Sequence, residues 1–197
     1  MRPLTYYVGI SLDGFIAGPE GEIDFYPVSD DHVAHMTAHH PEVLPTHVRR
    51  QLGIDDTENQ RFDTLVMGRG TYQPALDVGI TSPYAHLRQY VFSRSLTEQP
   101  DPAVEIVAGD PLAKVRELKQ EDSPLGIWLC GGGQLAGQLL PEIDRLVIKK
   151  YPVVTGSGIP AFVTGFHPHQ FTLTDCLTFG SGCAVLSYDR KPSPGLD

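Results

Sequence analysis

Two glycine turns and two arginines are the residues of this sequence best suited to hold an anion. Gly68, Arg69, Gly70 and Thr71 follow the short strand-like run 63–67, and Gly131, Gly132 and Gly133 follow the mostly apolar run 126–130. A buried strand that hands over to a helix through glycines leaves N–H groups unpaired at the helix start and removes side chains that would block a ligand. The helix dipole points its positive end at the same place, so such a turn suits a phosphate or pyrophosphate. Tight strand–helix packing without a ligand accounts for a lone glycine turn equally well. Arg69 can grip a phosphate through two parallel N–H donors, and the Thr71 hydroxyl can cap a helix or bond an anion. Ser93, Arg94 and Ser95 set a second cation among hydroxyls after another strand-like run. Either arginine alone reads as a surface partner for some of the 24 acidic residues. The pair beside two glycine turns points to a 2′-phosphate, hence NADPH rather than NADH.

Other motifs are weaker. Gly131 to Ala136 fits the loose pattern G-x-G-x-x-A, but that fingerprint needs an acidic residue about 20 positions on. The corresponding window holds Lys149, Lys150 and Tyr151, and too few strand–helix units follow to complete half of such a fold. No Gly-Lys-Ser/Thr occurs, which excludes a P-loop. Asp13 and Asp24 are candidate proton donors or substrate anchors for a reduction in which the cofactor carries the hydride. Asp13 reads equally well as an Asx-turn residue before Gly14. His32, His35 and His39 fall at i, i+3 and i+7, with His40 and His47 nearby, a spacing that invites zinc. No carboxylate or cysteine stands at matching ligand spacing, so the expectation is a solvated helix face and no metal.

These residues need a framework, and 197 residues suit one domain over 1–190 with a short disordered tail, 191–197. The apolar share of 41% is that of a soluble globular chain, and no apolar run is long enough to span a membrane. A net charge of −9 argues against a nucleic-acid partner, and the start of the chain lacks a signal-peptide pattern. Three cysteines without a Cys-x-x-Cys pair fit a reducing cytoplasm, although Cys176 and Cys183 flank a turn and could face each other. Strands are expected at 4–10, 63–67, 88–93, 103–108 and 126–130, with a long one over 143–154 broken at Pro152. Helices are expected after Gly68, over 110–120 and over 134–140. One or two more are expected on an exposed flank between 29 and 61. The glycine-rich stretch 155–160 reads as a loop, and 171–179 with 184–188 as a hairpin around Gly180, Ser181 and Gly182. The alternation predicts an α/β fold, with a mostly parallel sheet covered on both faces and an antiparallel edge.

The ordered set SLDGFIAG (11–18), VMGRGTY (66–72), VFSR (91–94), WLCGGGQL (128–135), DRL (144–146) and PVVTGSGIPAF (152–162) covers nearly the whole chain. It resembles the dihydrofolate reductase-like superfamily. Within that superfamily it is most similar to the C-terminal reductase domain of riboflavin-biosynthesis deaminase–reductases and its stand-alone relatives. The resemblance implies a three-layer αβα fold with a central mixed sheet, NADPH as cofactor and a homodimer. By position, Gly68, Arg69 and Thr71 would meet the adenine-side phosphates, and Ser93 and Arg94 the 2′-phosphate or adenosine. Gly131, Gly132, Gly133, Gln134 and Leu135 would meet the pyrophosphate and nicotinamide side, with Ile16 and Ala17 in the loop covering the nicotinamide. The implied activity is reduction of a small heterocycle, most like 5-amino-6-(5-phosphoribosylamino)uracil. The alternatives are dihydrofolate reduction or a non-catalytic nucleotide-binding role. Dihydrofolate reductases carry a Trp after the covering loop and an acid on the next helix; here the sequence has Asp24-Phe25-Tyr26 and then Asp30 and Asp31. A zinc deaminase half needs H-x-E and P-C-x-x-C. His40-Pro41-Glu42 matches the first and nothing matches the second.

Overall fold

The β-branched and aromatic run LTYYVGI forms strand β1 (Leu4–Ile10), whose first five residues are buried. The structure is a computed structural model that describes residues 1–96 and 98–192, so the expected tail lies from 193 onward outside the described residues. After β1 come β2 (Phe15–Ala17), α1 (Asp30–His39), a 3-10 turn at 41–43 and α2 (Thr46–Gln51). Next are β3 (Phe62–Gly68), α3 (Arg69–Asp77), β4 (Arg88–Phe92), β5 (Val104–Val107) and α4 (Pro111–Gln120). The chain continues through β6 (Gly126–Gly131), α5 (Gly133–Leu139), β7 (Arg145–Lys150), β8 (Ile159–Pro160), β9 (Phe171–Thr178) and β10 (Ala184–Arg190).

Eight strands form one sheet in the order β5-β4-β3-β6-β1-β7-β10-β9, while β2 and β8 pair apart from it. The first six in that order run parallel. β10 runs against β7, and β9 against β10, which makes the antiparallel edge. Side-chain alternation splits the core between two faces. Leu4, Tyr6, Val8, Ile127 and Leu129 lie under Val115 and Leu118 of α4 and Leu135, Ala136 and Leu139 of α5. Tyr7, Leu65, Met67 and Trp128 pack on the other face with Val43, Tyr72 and Leu87. Helices thus cover both faces of a mostly parallel mixed sheet, as an α/β chain of this pattern requires.

Three details differ from the sequence reading. β7 stops at Lys150, two residues before Pro152, which has no N–H for a ladder; the Leu12 amide then bonds the Val153 carbonyl. Within the expected loop, Ile159 and Pro160 pair with β2. The histidine face of α1 is only partly solvated: His39 is exposed and His35 half-buried, but His32 is not. His32 is 1% exposed, with its ring stacked 4.8 Å from Phe179, and His35 lies 5.3 Å from the same ring. The turn between β9 and β10 docks there through Phe179, and the His32 and His35 rings pack against it. All three cysteines are free thiols. Among the described residues no helix is long and apolar enough to cross a membrane.

Candidate functional site

Because β4, β3, β6 and β1 are parallel neighbours, their carboxyl ends open along one edge of the sheet. Met67 of β3 pairs with Gly131 of β6, and Gly68 pairs with Phe92 of β4, so both glycine turns and Ser93 emerge side by side. The turns touch. A β-carbon on Gly68 would lie 3.7 Å from the Gly132 amide nitrogen and 3.9 Å from the Leu135 β-carbon. One on Gly131 would lie 3.4 Å from the Thr71 hydroxyl, and one on Gly132 3.6 Å from it and 3.7 Å from the end of Ile16. Gly131 has φ +140°, a region that L side chains rarely adopt, and the peptide bond joining it to Gly132 is cis. Gly68, Thr71, Gly131, Gly132 and Ile16 are therefore neighbours around one stretch of bare backbone.

Gly133 serves a different contact. A β-carbon there would stand 2.1 Å from the Pro160 carbonyl oxygen, and the Gly133 carbonyl accepts from the Val163 amide at 2.9 Å. Its missing side chain lets the segment 160–163 lie directly on α5. Leu135 is buried in the core, Gln134 is exposed on α5, and the Ala17 carbonyl faces Gly158.

Arg69 leads α3 with its guanidinium exposed, and its Nη1 donates to the Ser95 hydroxyl at 2.6 Å. The Ser93 hydroxyl accepts from the amides of Ser95 and Leu96 at 3.3 and 2.9 Å, which folds the turn that follows β4 and carries the exposed Arg94. Ser95 is the link between the two cation-bearing turns. The sequence showed it only as one hydroxyl beside Arg94.

Asp13 clamps two loops. Ser11 donates its hydroxyl to Oδ1 at 2.6 Å, while the amides of Thr155 and Gly156 donate to the same carboxylate at 3.2 and 2.7 Å. The Ser11 hydroxyl bond above all, with the two amides, pulls the Asp13 carboxyl down to about 2. Near neutral pH this group is an acceptor that ties the loop after β1 to residues 155 and 156. Asp24 is exposed in the loop between β2 and α1, with no hydrogen bond to either turn among the described residues. Next to it Tyr26 donates to the Phe15 carbonyl at 2.8 Å and stacks on Tyr151 at 4.4 Å. Tyr6, deep in β1, donates to the Ala161 carbonyl at 3.0 Å. These tyrosines tie β2 and 159–163 to the sheet, a role invisible before the strands are assembled.

A cavity of about 510 Å³ lies elsewhere, between the carboxyl end of α1 and the strand faces of β7, β9 and β10, with Arg61, Arg145, Asp175 and Asp189 on its walls. It sits toward the starts of β1, β6 and β7, away from the glycine turns.

Known proteins share this fold. The profile described as the RibD C-terminal domain matches residues 2–185. The uncharacterised protein YwjB of Bacillus subtilis (strain 168) is 31% identical over 163 residues, spanning 82% of this chain and 83% of its own. YyaP of the same organism, also uncharacterised, is 26% identical over 200 residues, spanning 95% and 94%. A crystal structure of a candidate riboflavin biosynthesis protein from Shewanella sp. PV-4 superposes with a TM-score of 0.70 at 24% identity, over 98% of this chain and 100% of that one. A Thermotoga maritima diaminohydroxyphosphoribosylaminopyrimidine deaminase/5-amino-6-(5-phosphoribosylamino)uracil reductase superposes with a TM-score of 0.64 at 15% identity. The match spans 96% of this chain and 57% of that longer one. Profile and fold agree, and the chain belongs to the RibD C-terminal domain family.

Proposed function

We propose that this chain is an NADPH-dependent reductase of a small heterocyclic substrate, of the kind represented by 5-amino-6-(5-phosphoribosylamino)uracil. Family membership supports the reductase class. The observation that carries the cofactor is the bare backbone between Gly68 and Gly131–Gly132, which β-carbons would fill, beside two exposed arginines on adjacent strand ends. A cradle of amides suits the pyrophosphate, and Arg69 and Arg94 suit the 2′-phosphate. When bound, the nicotinamide supplies the hydride. The chain's residues do the rest. Thr71 and the glycine backbone bind, Ile16 and the segment 159–163 exclude water, and Asp13 holds the cover in place.

The dihydrofolate alternative lacks support at its anchor. Asp31 of α1 accepts from the Ser29 hydroxyl and from the Gly180 amide (2.8 Å), so its carboxylate is committed to the β9–β10 turn.

The test is a titration of the protein with NADPH and NADH. Arg69→Ala is expected to weaken NADPH by about tenfold to a hundredfold, the worth of a lost charge-assisted bond, and to leave NADH nearly unchanged. Equal losses for both remove the 2′-phosphate assignment. Consumption of NADPH with the ribosylaminopyrimidine but not with dihydrofolate is the expected turnover; binding without turnover on either would make the protein a nucleotide-binding module.

A further inference from the structure

Next to the cradle, on the sheet face toward α1, lies a lysine with no ionic partner. Lys149 of β7 pairs in register with Gly9 of β1. A β-carbon on Gly9 would stand 3.0 Å from the Tyr151 ring and 3.8 Å from the Lys149 Cε, so the glycine makes room for that ring beside the lysine stem. Its ammonium sits 5.0 Å above the Tyr7 ring, a cation–π contact. His40 lies 5.1 Å from the same ring. The Lys149 charge also reaches His32, Cys130 and Cys183.

No carboxylate among the described residues pairs with Lys149, and burial pushes its amine down. Both ring nitrogens of His32 and the Nδ1 of His40 lack hydrogen-bond partners among the described residues, although the two residues are 1% and 6% exposed. Buried polar groups are ordinarily satisfied, and Lys149, half-buried beside them, has no counter-ion among the described residues. Here three orphaned nitrogens and one uncompensated cation share a region walled by Tyr7, Tyr151 and Phe179. Cys130, within reach of the Lys149 charge, directly precedes the Gly131 turn, so the Lys149 end of this region adjoins the cradle, while His40 at its other end lines the cavity toward the strand starts.

We infer that Lys149 is the substrate-facing cation of the proposed reductase, and that with His32 and His40 it holds an anionic oxygen group on a planar heterocycle. The inference rests on the reductase reading for the word substrate, but the binding is testable alone. A set of this kind, with Asp31 beside it bonded to the His32 and Gly180 amides and Glu42 to those of Arg61 and Phe62, favours rings that present carboxylate or oxyanion edges. It disfavours amino-rich rings that seek a carboxylate partner.

The probes are orotate, a planar pyrimidine carboxylate, and 2,4-diaminopyrimidine, each titrated by calorimetry into the protein with and without NADPH. Orotate is expected to bind, and to protect Lys149 from trinitrobenzenesulfonate in peptide mapping. Lys149→Met is expected to weaken orotate at least about tenfold, a loss typical of one hydrogen bond to a charged group, with NADPH affinity unchanged within about twofold. Lys149→Arg keeps the charge and is expected to retain most of the affinity; it also serves where the methionine variant fails to fold. Absence of orotate binding to the wild-type protein, equal binding by the methionine variant, or preference for the diaminopyrimidine would overturn the assignment. Orotate binding at Lys149 in a protein that ignores NADPH would leave this site standing and remove the reductase reading instead.

Discussion

Asp13 shows how a residue picked for chemistry acquires its role only when the chain is folded. Its neighbours in sequence, Ser11 and Gly14, indicated a turn, but the two amides it accepts from belong to Thr155 and Gly156, more than 140 residues away. Replacing Asp13 by Ala removes the acceptor for both, and amide exchange at Thr155 and Gly156 is expected to quicken by about tenfold or more as the loop opens locally. The pH sign follows from a depressed carboxyl. The group is ionised in the folded state down to about 2, below the ordinary aspartate value of 3.8. Its contribution is therefore complete above that ordinary value and is lost as pH falls through about 2. Exchange at the two amides that stays slow in Asp13→Ala would mean that the loop is held by other contacts. The glycine turns, Arg69 and Arg94 were legible because each is a local pattern at a strand end. Lys149 was not, since its importance depends on Gly9 and Tyr7, which become its neighbours only through sheet register.

Elements with strong periodicity were readable from the chain itself. β1 matches its expected range, and β3, β4, β5, β6, α4 and α5 each fall within one or two residues of theirs, because apolar alternation, Asp110 at the start of α4 and the glycines after β3 and β6 are all local signals. The region from 155 to 163 was not readable. Its path is set by contact with α5 and β2, and the informative residues are glycines whose purpose differs. Gly131 answers a backbone angle. Gly133 and Gly137 answer an approach: β-carbons on them would stand 2.1 and 1.9 Å from the carbonyl oxygens of Pro160 and Val163. Backbone cannot yield as a flexible side chain does, so Gly133→Ala is expected to cost about 1–3 kcal/mol in urea unfolding, the range for overpacking. Gly70→Ala in the first turn of α3 meets nothing within 4 Å. It is expected to stabilise by about 0.5–1 kcal/mol through helix propensity. Should both alanines behave alike, the packing account of Gly133 fails.

Across the whole molecule, the sheet order places the proposed cofactor cradle on one edge, while the histidine-rich helix α1 leans on the other half of the same sheet. α1 was expected to be a solvated flank because its composition is polar; tertiary packing on Phe179 and Tyr7 overrides that composition. The consequence is a specific acid response. Burial above all, with nearby cations, pushes His40 down to about 3, and burial lowers His32 as well. A histidine in the unfolded chain titrates near 6.5, so between that value and about 3 the unfolded state holds more protons than the folded one. Stability is therefore whole above the unfolded value and declines as pH falls, with a slope of up to about 1.4 kcal/mol per pH unit for each such group. His40→Phe keeps an aromatic ring against Tyr7 and removes the proton site. Urea unfolding at pH 7 and pH 5 should then show a smaller loss for the variant than for the wild type. The Asp13 effect appears only in more acid solution, so the two windows separate. An undiminished loss between pH 7 and 5 in His40→Phe would place the acid sensitivity in other groups and return the helix to the solvated role that its sequence suggests.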